Sequence, residues 1–270
     1  MNSEQVKRIL DFLEITQQAP SLDGVDALLS AYTQKIAWES MSRIARKAQA
    51  PHFAQARLFP EAFWQSAMSN GTGGTCYESN YAFLSLLKAL GYEGYLTINN
   101  MHEYIGCHSA LMVMIDAAWY LVDVGMPFHV AIPFNPTQKT ERYGQFHSYS
   151  ITPSKDDTYI VERTNHPKPY CYTLINKPIS EIDYQNILIN DYGENGLFLD
   201  RAILVKVIND QIWRFDSSAQ PYQIEIFSRF SSDKYFQFLG KDLDAVSDAL
   251  AQAFKMSSKI ILTALKQVGG

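Results

Sequence analysis

Three residues that lie far apart along the chain have the types that nucleophilic acyl chemistry uses: Cys76, His108 and Asp123. Cys76 stands in the run Gly73-Gly74-Thr75-Cys76-Tyr77-Glu78-Ser79-Asn80. Thr75 and Glu78 have the spacing of a capping box. In that motif the threonine hydroxyl accepts from the Glu78 amide, and the carboxylate reaches back to the Thr75 amide. The spacing predicts Cys76 as the first residue of a helix. A cysteine there sits among unpaired amides at the positive end of the helix dipole, a setting that favours thiolate, the nucleophilic form.

Such a nucleophile needs a base, and the base needs a group that orients it. His108 opens an apolar run, His-Ser-Ala-Leu-Met-Val-Met-Ile, which turns near Asp116-Ala117 into Trp119-Tyr-Leu-Val-Asp123-Val. With a two-residue loop, Ile115 pairs with Ala118 and His108 lies opposite Gly125. Asp123 is then a diagonal neighbour on the same face, roughly 7–8 Å away between backbones. A loop one residue longer would reverse this parity. Asp123 also interrupts a run that otherwise reads as a buried strand. A buried carboxylate needs a partner, and an imidazole, backbone amides or a lysine would each serve.

The elements that must hold these residues follow from periodicity. Val6, Ile9, Leu10 and Leu13 share one helical face, as do Val25, Leu28, Leu29, Tyr32 and Ile36. A third helix is predicted after Pro60, a favoured first-turn residue, and a fourth from Cys76 to Leu90, where Gly91 stops it. Beyond Gly91 the runs 94–99, 108–115, 119–124, 145–152, 158–163 and 170–175 are rich in Tyr, Val, Ile, Phe and Thr, separated by turn residues. This predicts a mostly antiparallel β region. The segment 177–201 is ambiguous. Strands return at 202–208, 211–216 and 222–228, with Asn209-Asp210 as a tight turn, and 241–255 and 257–267 read as helices.

The 270 residues are 47% hydrophobic and 19% charged, enough for a sizeable core. The formal net charge of −5, with no long basic cluster, argues against nucleic-acid or anionic-membrane binding. Three cysteines make no disulfide framework, which predicts a reducing, cytoplasmic setting. The first residues carry acids and an amphipathic pattern rather than the apolar core of a signal peptide. The apolar stretch from Ser109 to Met126 contains Asp116 and Asp123 and reads as two strands rather than a membrane span. His52, His129, His147 and His166 lie among loop residues and read as surface groups. No pair has zinc-ligand spacing, so no metal is expected. Cys107 and Cys171 read as structural, and no phosphate-binding loop is present.

With these residues in place, the sequence resembles the arylamine N-acetyltransferases. The family's Gly-Gly-aromatic-Cys-aromatic-Glu-x-Asn motif is matched by Gly73, Gly74, Cys76, Tyr77, Glu78 and Asn80. Its strand-opening histidine is matched by His108, its Leu-Val-Asp-Val-Gly by Leu121 to Gly125, and its early Arg-Ile by Arg8-Ile9. Ile36-Ala37-Trp38-Glu39-Ser40 echoes its Ile-Pro-Phe-Glu-Asn. The resemblance implies an α+β fold: a helical domain over 1–90 carrying the nucleophile, a β-barrel over 91–190 carrying the histidine and aspartate, and an α/β lid over 191–270. It implies ping-pong transfer of an acetyl group from acetyl-CoA, through acetyl-Cys76, to an arylamine or arylhydrazine. His108 would take the thiol proton or form an ion pair with the thiolate, and Asp123 would hold its ring. Tyr77, Met126 and Phe128 would face the acceptor, and no cofactor would be bound permanently.

Three departures stand out. The family's arginine before the two glycines is Thr72 here, so the charges around the loop must be arranged differently, with Arg8 and Glu39 as one available pair. The aromatic after Asp-Val-Gly is Met126, with Phe128 able to supply a ring. The Ser/Thr-Pro-rich stretch that leads into the lid is replaced by Asn190-Asp191-Tyr192-Gly193-Glu194-Asn195-Gly196. The residue types alone also admit another Cys-His-Asp enzyme (an amide synthase, a transglutaminase-like enzyme or a thiol hydrolase) or a non-catalytic binding module.

Overall fold

The structure is a computed structural model and describes residues 1–164, 166, 168–194, 196–228 and 234–269. The chain begins with helices α1 (Ser3–Leu13), α2 (Leu22–Lys35), α3 (Met41–Gln49), α4 (Pro60–Asn70) and α5 (Cys76–Ala89). The short strand β1 (Trp38–Glu39) lies between α2 and α3. Next come β2 (Glu93–Met101), β3 (Tyr104–Ile115), β4 (Ala118–Val122), β5 (Ile132–Pro133), β6 (Thr140–Tyr143), β7 (Ser148–Pro153), β8 (Thr158–Arg163) and β9 (Tyr170–Ile175). Helix α6 (Glu181–Asn190) leads to β10 (Ile203–Ile208), β11 (Gln211–Asp216), β12 (Tyr222–Ser228) and β13 (Lys234–Gly240), then to α7 (Leu243–Phe254) and α8 (Ser258–Val268). Two compact units result: Met1–Thr33 with Ser79–Tyr184, and Gln34–Glu78 with the chain from Gln185 onward.

In the first unit eight antiparallel strands run in the order β5-β4-β3-β2-β9-β8-β7-β6. The outermost strands β5 and β6 come into contact, so the sheet nearly closes into a barrel. Its interior is packed with Met112, Leu121, Phe128, Tyr149, Ile151 and Tyr172, all buried. The predicted two-residue loop is present. Ile115 pairs with Ala118 and Leu111 with Val122, while Asp116 and Ala117 have φ of 49° and 61°. Positive φ at both loop positions is the turn whose twist suits a hairpin. The helices begin and end where local chemistry directs: Asn2 and Gln5 cap α1 reciprocally, and α1 buries the predicted Val6, Ile9, Leu10 and Leu13.

In the second unit a five-stranded sheet runs β1-β10-β11-β12-β13. Its apolar residues Leu204, Phe215 and Ile224 share one core with Leu250 of α7, Leu265 of α8 and Ile44 of α3. Asn209 and Asp210 take positive φ at the predicted turn between β10 and β11. Helix α4 starts on Pro60 and stops at Gly71, whose φ of 64° suits glycine. The ambiguous segment after Lys177 contains α6. Helix α3 and strands β1, β5, β6 and β13 were not anticipated from the sequence. The first two of these strands and β6 are too short to show alternation, and α3 has only a short apolar stripe between charged residues. Among the described residues no helix is long and apolar enough to cross a membrane.

Candidate active site

The barrel unit holds an imidazole–carboxylate pair. His108 lies on β3 and Asp123 follows β4; the ring Nε2 is 2.7 Å from the Asp123 Oδ2. The register that the loop length predicts therefore brings the two together. Asp123 is fully buried. Its Oδ1 accepts from the amides of Gly125 (2.8 Å) and Met126 (2.9 Å) and from the side-chain amide of Asn80 (3.0 Å). These donors offset the desolvation of a carboxylate in an apolar interior, and they fix which oxygen faces the histidine. The Asn80 side chain is itself fixed: its Nδ2 also donates to the Ser109 carbonyl, and its Oδ1 accepts from the Val124 amide. On its other side the His108 ring packs on the buried Tyr172 of β9, with ring centroids 4.3 Å apart. The carboxylate contact and the aromatic wall leave the imidazole little freedom to turn.

Asn80 lies on α5, one helical turn beyond Cys76, so the two residues share a helix face. Cys76 opens that helix, as its position after the threonine predicts. It is buried, at 6% exposure. The loop before it is held by its backbone. Trp38 of β1 bridges to Gly74 in parallel, and the Glu39 amide donates to the Gly74 carbonyl at 3.2 Å. A side chain at Gly73 would collide with the Ala37 carbonyl, so this close approach requires glycine.

Around the loop, within the second unit, lies a buried polar cluster. Glu39 accepts from the Gly73 amide (3.0 Å) and from the amide and hydroxyl of Ser42. Burial pushes its carboxyl above the ordinary range, and Ser42, Arg46 and Gly73 work against that. Both Glu78 oxygens are held by groups from elsewhere in the chain. One accepts from the Leu58 amide (2.7 Å) and the Tyr192 hydroxyl (2.6 Å), and the other from Arg46 (2.6 Å). Arg43 donates to the Thr75 hydroxyl at 2.8 Å and pairs with Asp191 at 2.5 Å. Burial pulls the guanidinium of Arg43 down, but Asp191, Tyr192 and Glu78 outweigh it and hold it well above its ordinary value. Burial raises the Asp191 carboxyl to about 6, with Arg43 opposing.

Other sequence expectations are redistributed. Glu39 is satisfied by Ser42 and Gly73, and within its own unit the cations at the loop come from α3; Arg8 is exposed on α1. His129, read as a surface group, is buried, with Nδ1 3.1 Å from the Thr33 hydroxyl and its ring against Phe146. A turn sequence gave no hint of these partners, which come from elsewhere in the chain. His147 and His166 are half-buried, and His52 is exposed. Phe128 is buried in the barrel core against Tyr149, with Met126 partly buried on the same cluster; Tyr77 is buried at the start of α5. Burial pushes the Cys171 thiol up to about 12, as befits an inert structural cysteine. Cys107 is half-buried and donates to the Tyr104 carbonyl. Asp191 and Tyr192, from the stretch that replaces the family's Ser/Thr-Pro run, enter the polar cluster; Asn195 of that stretch is outside the described residues. Among the described residues no group of three or more His, Cys, Asp and Glu side chains is placed to hold a metal. The roles of Arg43, Arg46 and Tyr172 had no signal in sequence spacing.

Solved proteins share this fold. No curated protein matches the sequence. The chain has the fold of solved arylamine N-acetyltransferases. A cysteine-to-glutamine variant of the Mycobacterium smegmatis protein superposes with a TM-score of 0.81 at 16% identity, over 100% of both chains. The Mycobacterium marinum protein in complex with CoA gives 0.80 at 19%, over 97% of this chain and 99% of that one. A Bacillus cereus protein with a Cys-His-Glu catalytic triad gives 0.75 at 18%, over 95% and 100%. The model of one sequence family, described as N-acetyltransferase, matches residues 21–216. With that match spanning most of the chain, the protein belongs to the N-acetyltransferase family and is an acyltransferase enzyme.

Proposed function

We propose that the protein transfers an acetyl group from acetyl-CoA to an arylamine or arylhydrazine by a ping-pong mechanism, with Cys76, His108 and Asp123 as its catalytic triad. The observation that carries this reading is the His108 Nε2 held 2.7 Å from a buried carboxylate that is itself fixed by Asn80, one turn of α5 from Cys76. With Nε2–H donated to Asp123, the proton-accepting nitrogen is Nδ1. That nitrogen takes the thiol proton as the sulfur attacks the thioester carbonyl. A bond from sulfur to the acyl carbon forms, the carbon–sulfur bond to coenzyme A breaks, and the departing thiolate takes up the proton. In the second half-reaction the amine attacks acetyl-Cys76, its proton passes to His108, and the sulfur leaves. Backbone amides at the start of α5 are the donors for the oxyanion in both halves.

The donor assignment rests on the CoA complex of the Mycobacterium marinum relative. The acceptor side is assigned to Tyr77, Met126 and Phe128. The expected partners are a small amine and a coenzyme A thioester, with neither nucleic acid nor membrane involved. Mixing the enzyme with acetyl-CoA alone should release one equivalent of thiol and add one acetyl group to Cys76 by mass spectrometry. Sustained release should require an aromatic amine. Rapid turnover without amine would mean that water is the acceptor, and a hydrolase reading would replace this one.

A further inference from the structure

We infer that Arg43 of α3 is a positioning residue for the nucleophile: through the Thr75 hydroxyl it fixes the first turn of α5 and so sets the reactivity of Cys76. This rests on Cys76 being the nucleophile. The resemblance puts an arginine just before the two glycines, where this chain has Thr72. Thr72 is buried, and its hydroxyl donates to Ser66 rather than to any charge. Helix α3 supplies the missing cations from another direction. It reaches Thr75 and Glu78 directly, and Gly73 through Glu39 of β1.

Arg46 donates to Glu78, two residues after the cysteine, and through Ser42 it is joined to Glu39, which holds Gly73, three residues before it. Arg43 acts between these points, on the residue immediately before Cys76. It is only 1% exposed, and its two terminal nitrogens are also held by the Asp191 carboxylate and by the carbonyls of Asp191 and Leu197. Its ring neighbour Tyr192 lies 4.7 Å from the guanidinium carbon. The guanidinium therefore cannot swing to follow the loop, so the loop is registered on it.

Thr75 is the residue whose conformation decides where the amides of the first helical turn point, and those amides favour the thiolate. Loosening Thr75 changes both the direction of the Cys76 side chain and its local field. A shift of about 1 Å in a reacting group costs up to about a hundredfold in rate.

The test is a double-mutant cycle in the full-length protein, reading the rate of Cys76 alkylation by iodoacetamide and the rate of its acetylation by acetyl-CoA. Arg43→Lys keeps the charge beside Asp191 but loses the fork, and Thr75→Val removes the hydroxyl. Each should slow both reactions about tenfold. The double variant should be no slower than either single one, because the two changes break the same contact. Thr75→Ser, which keeps the hydroxyl, should restore wild-type behaviour. Multiplicative losses in the double variant would overturn the inference. So would folded single variants with wild-type rates, even if they melt earlier. If Arg43→Lys does not fold, Thr75→Val against Thr75→Ser decides alone. A wild-type Cys76 that alkylates no faster than Cys107 would instead remove the nucleophile reading, and this inference with it.

Discussion

The two compact units handle buried charge in opposite ways. In the barrel unit a single carboxylate, Asp123, lies in an apolar interior and is answered by two backbone amides, an asparagine and a histidine, with no arginine or lysine among them. In the second unit the buried cluster is built from full charges, with Arg43 against Asp191 and Arg46 against Glu78. The barrel arrangement sets one imidazole against its carboxylate. The charged arrangement is interlocked, since removing any member strands an opposite charge away from water. One region suits chemistry and the other suits rigidity, and each makes a distinct prediction.

The largest effect should come from the barrel unit and should fall on rate rather than on folding. Asp123→Asn keeps the shape and an acceptor for the Gly125 and Met126 amides, but it no longer holds the His108 tautomer that presents a basic Nδ1. Turnover should drop about 10³–10⁴-fold, with the melting transition little moved. Steady-state kinetics beside a thermal melt would check this. Near-normal turnover would show that Tyr172 and the strand orient the ring by themselves.

The opposite pattern is expected across the contrast. Arg46→Met leaves Glu78, 1% exposed, without its guanidinium. Breaking a buried pair in this way costs about 3–5 kcal/mol. The lower end applies, because Arg46 keeps 21% of its side chain exposed and Glu78 retains Leu58 and Tyr192. Urea unfolding should show the loss directly. A variant as stable as wild type would mean that the second unit resembles the barrel more than its charges suggest.

The same contrast explains what could be read in advance. The pairing of His108 with Asp123 was legible because strand alternation and a two-residue loop fix parity, and because an aspartate in an apolar run stands out. The start of α5 at Cys76 was legible because capping residues are local. The arginine cluster was not legible. Arg43 and Asp191 are 148 positions apart, and a contact between side chains at that separation leaves no periodic trace. Helix α3, which carries both arginines, offered only a short apolar stripe. His129 was misread for a related reason: its residue neighbours look like a turn, while its burial depends on Thr33 and Phe146.

The smallest effect tests whether the barrel unit is free of charge sensitivity outside its site. His147 precedes β7, half-buried, with Nδ1 3.0 Å from the Thr164 carbonyl and its ring 5.7 Å from that of His166. Burial, with Arg163 nearby, pulls its imidazole down to about 4. Burial and Arg163 lower His166 as well. An unfolded histidine takes its proton near the ordinary value of about 6.5, well before folded His147 does. The unfolded state therefore binds more protons between these two values, and stability falls as pH drops through that window. It is fully present above about pH 6.5. Discounted for partial exposure, the contribution of His147 is under about 1 kcal/mol. Urea midpoints at pH 7.5 and pH 5 should show wild type losing more stability than His147→Gln. Equal losses would place the acid sensitivity elsewhere, with the charged cluster around Asp191 as the first place to look.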